Sequence, residues 1–234
     1  MPNATTASEI TLVASNGLRG ALGELVPKFA AATGHKVTLD LDVMAVLKPR
    51  LDAGAFFDVA ILSPELIDGM ARQGKIAAGT RVDVARTGLG LAVRRGAPKP
   101  DIGTTEALKR ALLNAQSIGY PKDGGSGAYF LAALERLGIA VALKPKLQPF
   151  EGAGTIRAVA AGTVEMVGIG MGPIMNEPGA ELVGALPAAF QTYVYFAGGV
   201  SAQTKAPAAA GDLLRFLTAP AAAPVLKAKG LEPI

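Results

Sequence analysis

Gly119-Tyr120-Pro121-Lys122-Asp123-Gly124-Gly125-Ser126-Gly127-Ala128-Tyr129-Phe130 decides how the rest of the chain is read. A short apolar run, residues 117–120, reads as a strand, and residues 128–137 read as a helix with Ser126 as its N-cap. Between them lies a loop rich in glycine. A helix start carries unpaired N–H groups and a positive dipole end, and glycine lets a partner approach them closely. Taken alone the loop serves either as a tight structural turn or as a seat for a phosphate, oxyanion or carboxylate.

The same junction recurs along the chain. Residues 9–15 read as a strand and 18–32 as an amphipathic helix capped by Gly34. Residues 36–43 alternate as a strand, 44–53 read as a helix disturbed by Pro49, 58–62 as a buried strand and 64–73 as a helix opened by proline. This βαβαβα order implies a parallel sheet with right-handed crossovers. Two strands, 81–86 and 90–95, are expected next, joined by a tight turn at Gly88–Gly90, and then a stiff segment at 97–100. A helix at 104–115 follows, capped by Thr104 or Thr105. Later come a short strand within 145–149, a helix at 156–161, a strand at 166–170 and a helical turn at 173–176. Strands at 181–186 and 193–200 and helices at 206–217 and 221–229 close the chain. Strand ends therefore meet helix starts at Ser15-Asn16-Gly17, Val43-Met44-Ala45, Ser63-Pro64, residues 124–127, Gly152-Ala153-Gly154-Thr155 and Gly170-Met171-Gly172. Ligands of open α/β sheets sit outside the carboxyl ends of strands. Three such corners early in the chain and three in its middle suit a two-lobed binding protein.

Composition narrows the function. The chain has 234 residues, 50% hydrophobic and 18% charged, enough for one large domain or two lobes with proper cores. It lacks cysteine, which excludes disulfides and thiolate metal sites, and its one histidine, His35, excludes multi-histidine sites. No metal and no cofactor are expected. The net charge of +4 is scattered and aromatics are only 5%, which argues against nucleic-acid binding and is mildly favourable to small anions. No Gly-Lys-Ser/Thr sequence is present, so the glycine loop is not a nucleotide-binding Walker loop. The first residues lack a basic segment followed by an apolar one. The protein is expected to be periplasmic or extracytoplasmic if a signal peptide has been removed, and cytoplasmic otherwise.

The stretches ITLVASNGLRGALGELVPKFAAATG, LDAGAFFDVAILS, IGYPKDGGSGAYFLAALERLG, AVAAGTVEMVGIG and LRFLTAPAAAPVLKAKGLEPI resemble the molybdate-binding-protein-like group of type II periplasmic solute-binding proteins. They run through nearly the whole chain in that family's order. The resemblance implies an α/β fold of two lobes, each a mainly parallel sheet flanked by helices, with the ligand in a cleft between them. The boundaries expected are 1–88 plus 194–234 for lobe I and 89–193 for lobe II, with crossover segments near residues 88–91 and 192–196. It also implies a small-molecule anion as ligand, the membrane permease of an ABC importer as partner, and a monomer.

At the ligand position the resemblance to molybdate receptors weakens. Ser15 matches their first serine, but the second serine cluster falls at Val43-Met44-Ala45 and the tyrosine position at Met171, neither with a hydroxyl. An oxyanion buried without enough donors loses several kcal/mol. The resemblance therefore points away from molybdate, tungstate and sulfate and toward an organic anion, a carboxylate held by backbone donors with carbon atoms on methionine. The candidate ligand-binding residues are Ser15, Asn16, Arg19, Met44, Ala45, Ser126, Gly127, Gly154, Thr155 and Met171. Some of these also have a structural reading, Ser15, Asn16 and Thr155 as helix caps and Arg19 as a surface cation, and Lys122 and Asp123 beside them read as a mutual ion pair. Asp58 is expected to fix a turn, and His35 to lie on the surface. No catalytic residue is assigned. The alternative function is an isomerase of an unsaturated carboxylic acid, like aconitate isomerase, using Ser126, Arg19 or Lys122 as electrophilic groups and Asp42 or Asp123 as base. A cytosolic ligand-sensing domain is the third reading.

Overall fold

Alternation places Ile10 and Leu12 on the buried side of the first strand, β1 (Glu9–Ser15). The computed structural model describes residues 7–234. Expectations for residues 1–6, including the absence of a leader pattern, lie outside the described residues. A 3₁₀ turn, Asn16–Leu18, leads into α1 (Arg19–Thr33), which ends at Gly34 in the left-handed conformation. Then follow β2 (Lys36–Asp42), α2 (Met44–Asp52), β3 (Val59–Leu62) and α3 (Pro64–Arg72). Strands β2 and β3 both pair parallel with β1, so Ser15 and Asp42 face each other in register at the carboxyl edge.

The long strand β4 (Val82–Arg94) corrects an expectation: residues 82–94 form one strand, not two joined by a turn at Gly88–Gly90. Neither glycine has a positive φ. They are small because of what lies against them. A Cβ on Gly88 would meet the Gln191 amide at 3.0 Å, and one on Gly90 would meet Leu182 and Met171 at 3.0 Å. The Gln191 side chain occupies that space because it pairs with the strand. It accepts from the Leu89 N–H at 2.6 Å and donates to the Leu89 carbonyl at 2.9 Å.

The chain continues through α4 (Thr105–Asn114), β5 (Ile118–Pro121), α5 (Gly125–Arg136), α6 (Ala140–Leu143), β6 (Leu147–Phe150), α7 (Gly154–Ala161), β7 (Met166–Gly170), α8 (Met171–Met175) and β8 (Ala180–Ala185). Strand β5 pairs parallel with both β6 and β7, and β4 pairs antiparallel with β7 and β8. The resulting order is β8-β4-β7-β5-β6. Its core includes Leu89, Leu91, Leu108, Phe130 and Leu134. Phe130 lies directly on β7: a Cβ on Gly168 would come within 2.3 Å of its ring, so only glycine fits there.

Strand β9 (Tyr193–Val200) then pairs antiparallel with β3 and completes the order β2-β1-β3-β9. Helices α9 (Pro207–Thr218) and α10 (Ala223–Ala228) and the short β10 (Glu232–Pro233) end the chain. The molecule divides into two compact units. The first holds residues up to Ala85 with Tyr195–Lys227 and Glu232–Ile234, and the second holds Arg86–Val194 with Ala228–Leu231. Each is a largely parallel sheet flanked by helices.

His35 is buried at 4% exposure, contrary to the surface position expected for it. Its Nδ1 accepts the Ser8 N–H at 3.1 Å, and its ring lies 5.9 Å from that of Phe29. Gly34 reverses the chain so tightly that the next residue turns back under α1.

Candidate functional site

Each unit gathers polar groups at the carboxyl edge of its parallel strands, and each is described by itself. In the first unit, Ser15 caps the 3₁₀ turn, its Oγ accepting the Gly17 N–H at 3.4 Å. Asn16 Oδ1 accepts from Arg19 Nε at 2.8 Å, and Arg19 Nη2 donates to the Leu41 carbonyl at 3.4 Å. With its oxygen turned to Arg19, the Asn16 amide keeps its nitrogen as a donor. Arg19 is exposed and forms no ion pair among the described residues; the neighbouring Asp40 is taken by Arg50, whose pKa it raises through a hydrogen bond and charge. Asp42 accepts the Val43 N–H at 2.8 Å. Met44 and Ala45 open α2, whose N-cap Val43 offers no side-chain acceptor. Met44 is half-buried and packs against the core cluster of Val13, Leu47 and Leu62. This corner is apolar, as its sequence implies.

In the second unit three corners share one edge. Helix α5 begins one turn earlier than its sequence suggests. Gly124, at φ 87°, is the N-cap, and Ser126 is the second helical residue rather than the cap. The cause is Gly127. A Cβ there would sit 1.7 Å from the Pro121 carbonyl oxygen, so α5 starts in contact with the end of β5. Ser126 also nears the β7–α8 corner: a Cβ built on Gly170 would lie 4.0 Å from its Cβ.

The β6–α7 corner is tied to this loop. Lys122 N–H donates to the Phe150 carbonyl at 2.9 Å, Lys122 Nζ pairs with Glu151 at 2.5 Å, and Gly152 N–H donates to Asp123 Oδ2 at 3.1 Å. Lys122 and Asp123 thus do not pair with each other; both reach across to the neighbouring loop. Lys122 holds the Glu151 carboxyl below its ordinary pKa, first through the hydrogen bond and then through charge. A depressed carboxyl pKa means that this tie supports the fold at neutral pH and is lost as pH falls through the folded-state value. An NMR titration is expected to place the Glu151 midpoint below the ordinary value of about 4.3, and Lys122→Met to return it there.

Thr155 is not the N-cap of α7; that position belongs to Ala153. Its side chain is fully buried and Oγ1 has no hydrogen-bond partner among the described residues. Gly154 N–H is already bonded to the Glu151 carbonyl at 2.8 Å. At the third corner, Met171 is half-buried and opens α8. Sequence reasoning missed the buried Thr87, which touches this corner from β4. No local signal marks it, because its partners are distant in the chain.

A recess of about 580 Å³ also lies in the second unit, lined by Arg95, Lys99, Met175, Glu177 and Glu181 among others. Its charges answer one another: Lys99 pairs with Glu181 at 2.6 Å, Arg95 donates to the Pro178 carbonyl, and Glu177 accepts the Gly179 N–H at 3.2 Å. Charge-bearing groups so engaged leave little for a ligand. Among the described residues no cluster of three or more His, Cys, Asp or Glu is placed to hold a metal, and no helix is long and apolar enough to cross a membrane.

Parallel sheets with helices on their faces and open corners at the strand ends define a type II periplasmic binding protein fold. The chain belongs to the bacterial extracellular solute-binding protein family, whose model matches residues 10–232. This is a family of ABC-importer receptors. Among proteins of known function, the chain is similar to aconitate isomerase from Pseudomonas sp, 29% identical over 239 residues, covering 99% of this chain and 90% of that one. It is also similar to the molybdate-binding protein ModA of Azotobacter vinelandii, 25% identical over 97% of this chain and 91% of that one. Among solved structures, the Azotobacter vinelandii periplasmic molybdate-binding protein matches with a TM-score of 0.80 at 19% identity, covering 95% of this chain and 98% of that one.

Proposed function

We propose that this chain is an extracytoplasmic receptor for a small organic polyanion, a di- or tricarboxylate, which it delivers to the permease of an ABC importer. The observation that carries the reading is the uneven chemistry of the corners. Donors stand at Ser15, Asn16 and Arg19 in one unit and at the start of α5 in the other, while Val43-Met44-Ala45 and Met171 present no hydroxyl. A compact dianion needs donors on all sides, because each unpaired charge-bearing oxygen costs several kcal/mol on desolvation. A carboxylic acid separates its charges by carbon, and such carbon suits methionine. In this reading the first turn of α5, residues 125–127, offers a seat for a carboxylate in its own unit, and the guanidinium fork of Arg19 offers one in the other. The protein acts as a monomer and needs no cofactor.

Calorimetry with citrate, cis-aconitate, trans-aconitate and malate, against molybdate, tungstate and sulfate, tests this. Binding is expected among the carboxylates and not among the oxyanions, and Arg19→Ala is expected to weaken it about tenfold or more. Submicromolar molybdate binding without carboxylate binding overturns the reading.

A second reading is supported by the relative named for aconitate isomerisation, which matches over nearly the whole chain. Moving a double bond needs a base near an acidic C–H and positive groups for the developing charge. Lys122 and Asp123 are engaged in joining two loops. Asp42, with one oxygen on the Val43 amide, and Arg19 are the groups for that role. Ultraviolet spectra of cis- and trans-aconitate incubated with the protein decide it: interconversion supports an isomerase, and unchanged spectra with retained binding leave the receptor.

A further inference from the structure

We propose that Thr87 is a positioning residue that sets the Met171-Gly172 corner for the ligand, through a bond to the chain's C-terminal turn. The inference rests on the reading above that Met171 faces the bound carboxylic acid. Thr87 is 3% exposed and lies on β4. Its hydroxyl donates to the Gly230 carbonyl at 2.8 Å and accepts the Gly172 N–H at 3.3 Å. The Gly172 N–H belongs to the first turn of α8, where a helix cannot supply its own acceptor. One hydroxyl, acting as donor and acceptor together, thus ties β4, α8 and residue 230.

Two glycines complete the arrangement. Gly230 has φ 73°, and a Cβ on it would lie 2.9 Å from the Met171 carbonyl carbon and 3.1 Å from the Gly172 nitrogen. The C-terminal turn therefore rests on the backbone of the corner itself. On the other side, a Cβ on Gly90 would lie 3.0 Å from Met171 Cγ. The Met171 backbone is held by Thr87 and residue 230, and its side chain by the notch at Gly90. These contacts explain why Ala228–Leu231 groups with the second unit although the residues on both sides of it group with the first. A binding corner held this closely stays within the fraction of an ångström that recognition requires.

Thr87→Val keeps the shape and removes both bonds, leaving the Gly172 N–H and Gly230 carbonyl without their partner. It is expected to weaken trans-aconitate or citrate binding about tenfold, while Thr87→Ser binds within about twofold of the wild type. In a Met171→Ala background the same Thr87→Val change is expected to cost less than about twofold, since the two act through one corner. A purely structural role predicts the same loss in both backgrounds, and that result overturns the proposal. Hydrogen exchange on the wild-type protein gives a measurement that does not depend on a variant folding: trans-aconitate is expected to slow exchange at the Gly172 amide and in residues 228–231 together. Ligand-induced protection that omits residues 228–231 overturns the proposal. A wild type that binds none of these acids overturns the carboxylate reading and this proposal with it. A wild type that binds them as well as Thr87→Val does overturns this proposal alone.

Discussion

Replacing Gly127 with alanine is expected to lower the melting temperature of the unit containing it by about 10 °C or more. The added Cβ would be placed 1.7 Å from the Pro121 carbonyl oxygen and 2.8 Å from its carbon. Side chains relieve overpacking by changing rotamer, at about 1–3 kcal/mol. Here the obstacle is backbone, and that backbone is fixed on both sides. Pro121 ends β5 in register with Phe150 on β6, and the next residue, Lys122, donates to the Phe150 carbonyl at 2.9 Å. To admit a methyl group, either α5 lifts from the sheet or the β5–β6 pairing breaks. Lifting α5 exposes Phe130, which is fully buried and contributes about 2–3 kcal/mol by burial alone. A total of about 3 kcal/mol or more follows. Differential scanning calorimetry without ligand measures it. A melting temperature unchanged from the wild type would mean that Gly127 matters only for ligand access.

Asp58→Ala is the second large effect, expected to destabilise the unit containing it by about 2–4 kcal/mol. Asp58 is 3% exposed. One carboxylate oxygen accepts the Thr11 N–H at 2.8 Å and the other the Thr204 hydroxyl at 2.5 Å. Its backbone adds two bonds, from its N–H to the Thr11 carbonyl at 2.9 Å and from the Ser201 N–H to its carbonyl at 2.8 Å. The side chain thus ties β1 to the segment that precedes α9. Alanine leaves the half-buried Thr11 N–H and Thr204 hydroxyl without these acceptors. Asn, which keeps one acceptor oxygen, is expected to lose roughly half as much. Urea denaturation of the two variants measures this, and equal stability of Asp58→Ala and wild type would refute it. Asp58 was expected to fix a turn; it does more, joining segments 146 residues apart.

The strand-and-helix alternation was legible because it is local. Ile10 and Leu12 alternate, Gly34 ends α1, Ser63 and Pro64 open α3, and Thr104 caps α4 through the Ala107 N–H. The corners at the strand ends followed from that order. The apolar character of Met44 and Met171 was likewise legible, since the absence of a hydroxyl is a property of residue type. What failed to read were positions decided by neighbours remote in sequence. Gly88 and Gly90 look like a turn, yet they lie in a continuous strand, and glycine stands there because Gln191, Leu182 and Met171 crowd both positions. Ser126 looks like a cap, yet α5 reaches back to Gly125 because Gly127 packs on Pro121.

The sequence by itself determined the class of fold, the order of the elements and the loops that carry donors, because hydrophobic period, caps and glycine placement act within a few residues. The tertiary structure alone decided which of those residues work on one another. It turned Lys122 and Asp123 from a rim pair into a tie between two loops, buried His35 under α1, and joined Thr87 to Gly230 across 143 positions. Such contacts depend on where the chain returns in space, and no local pattern of residues encodes a partner that far away.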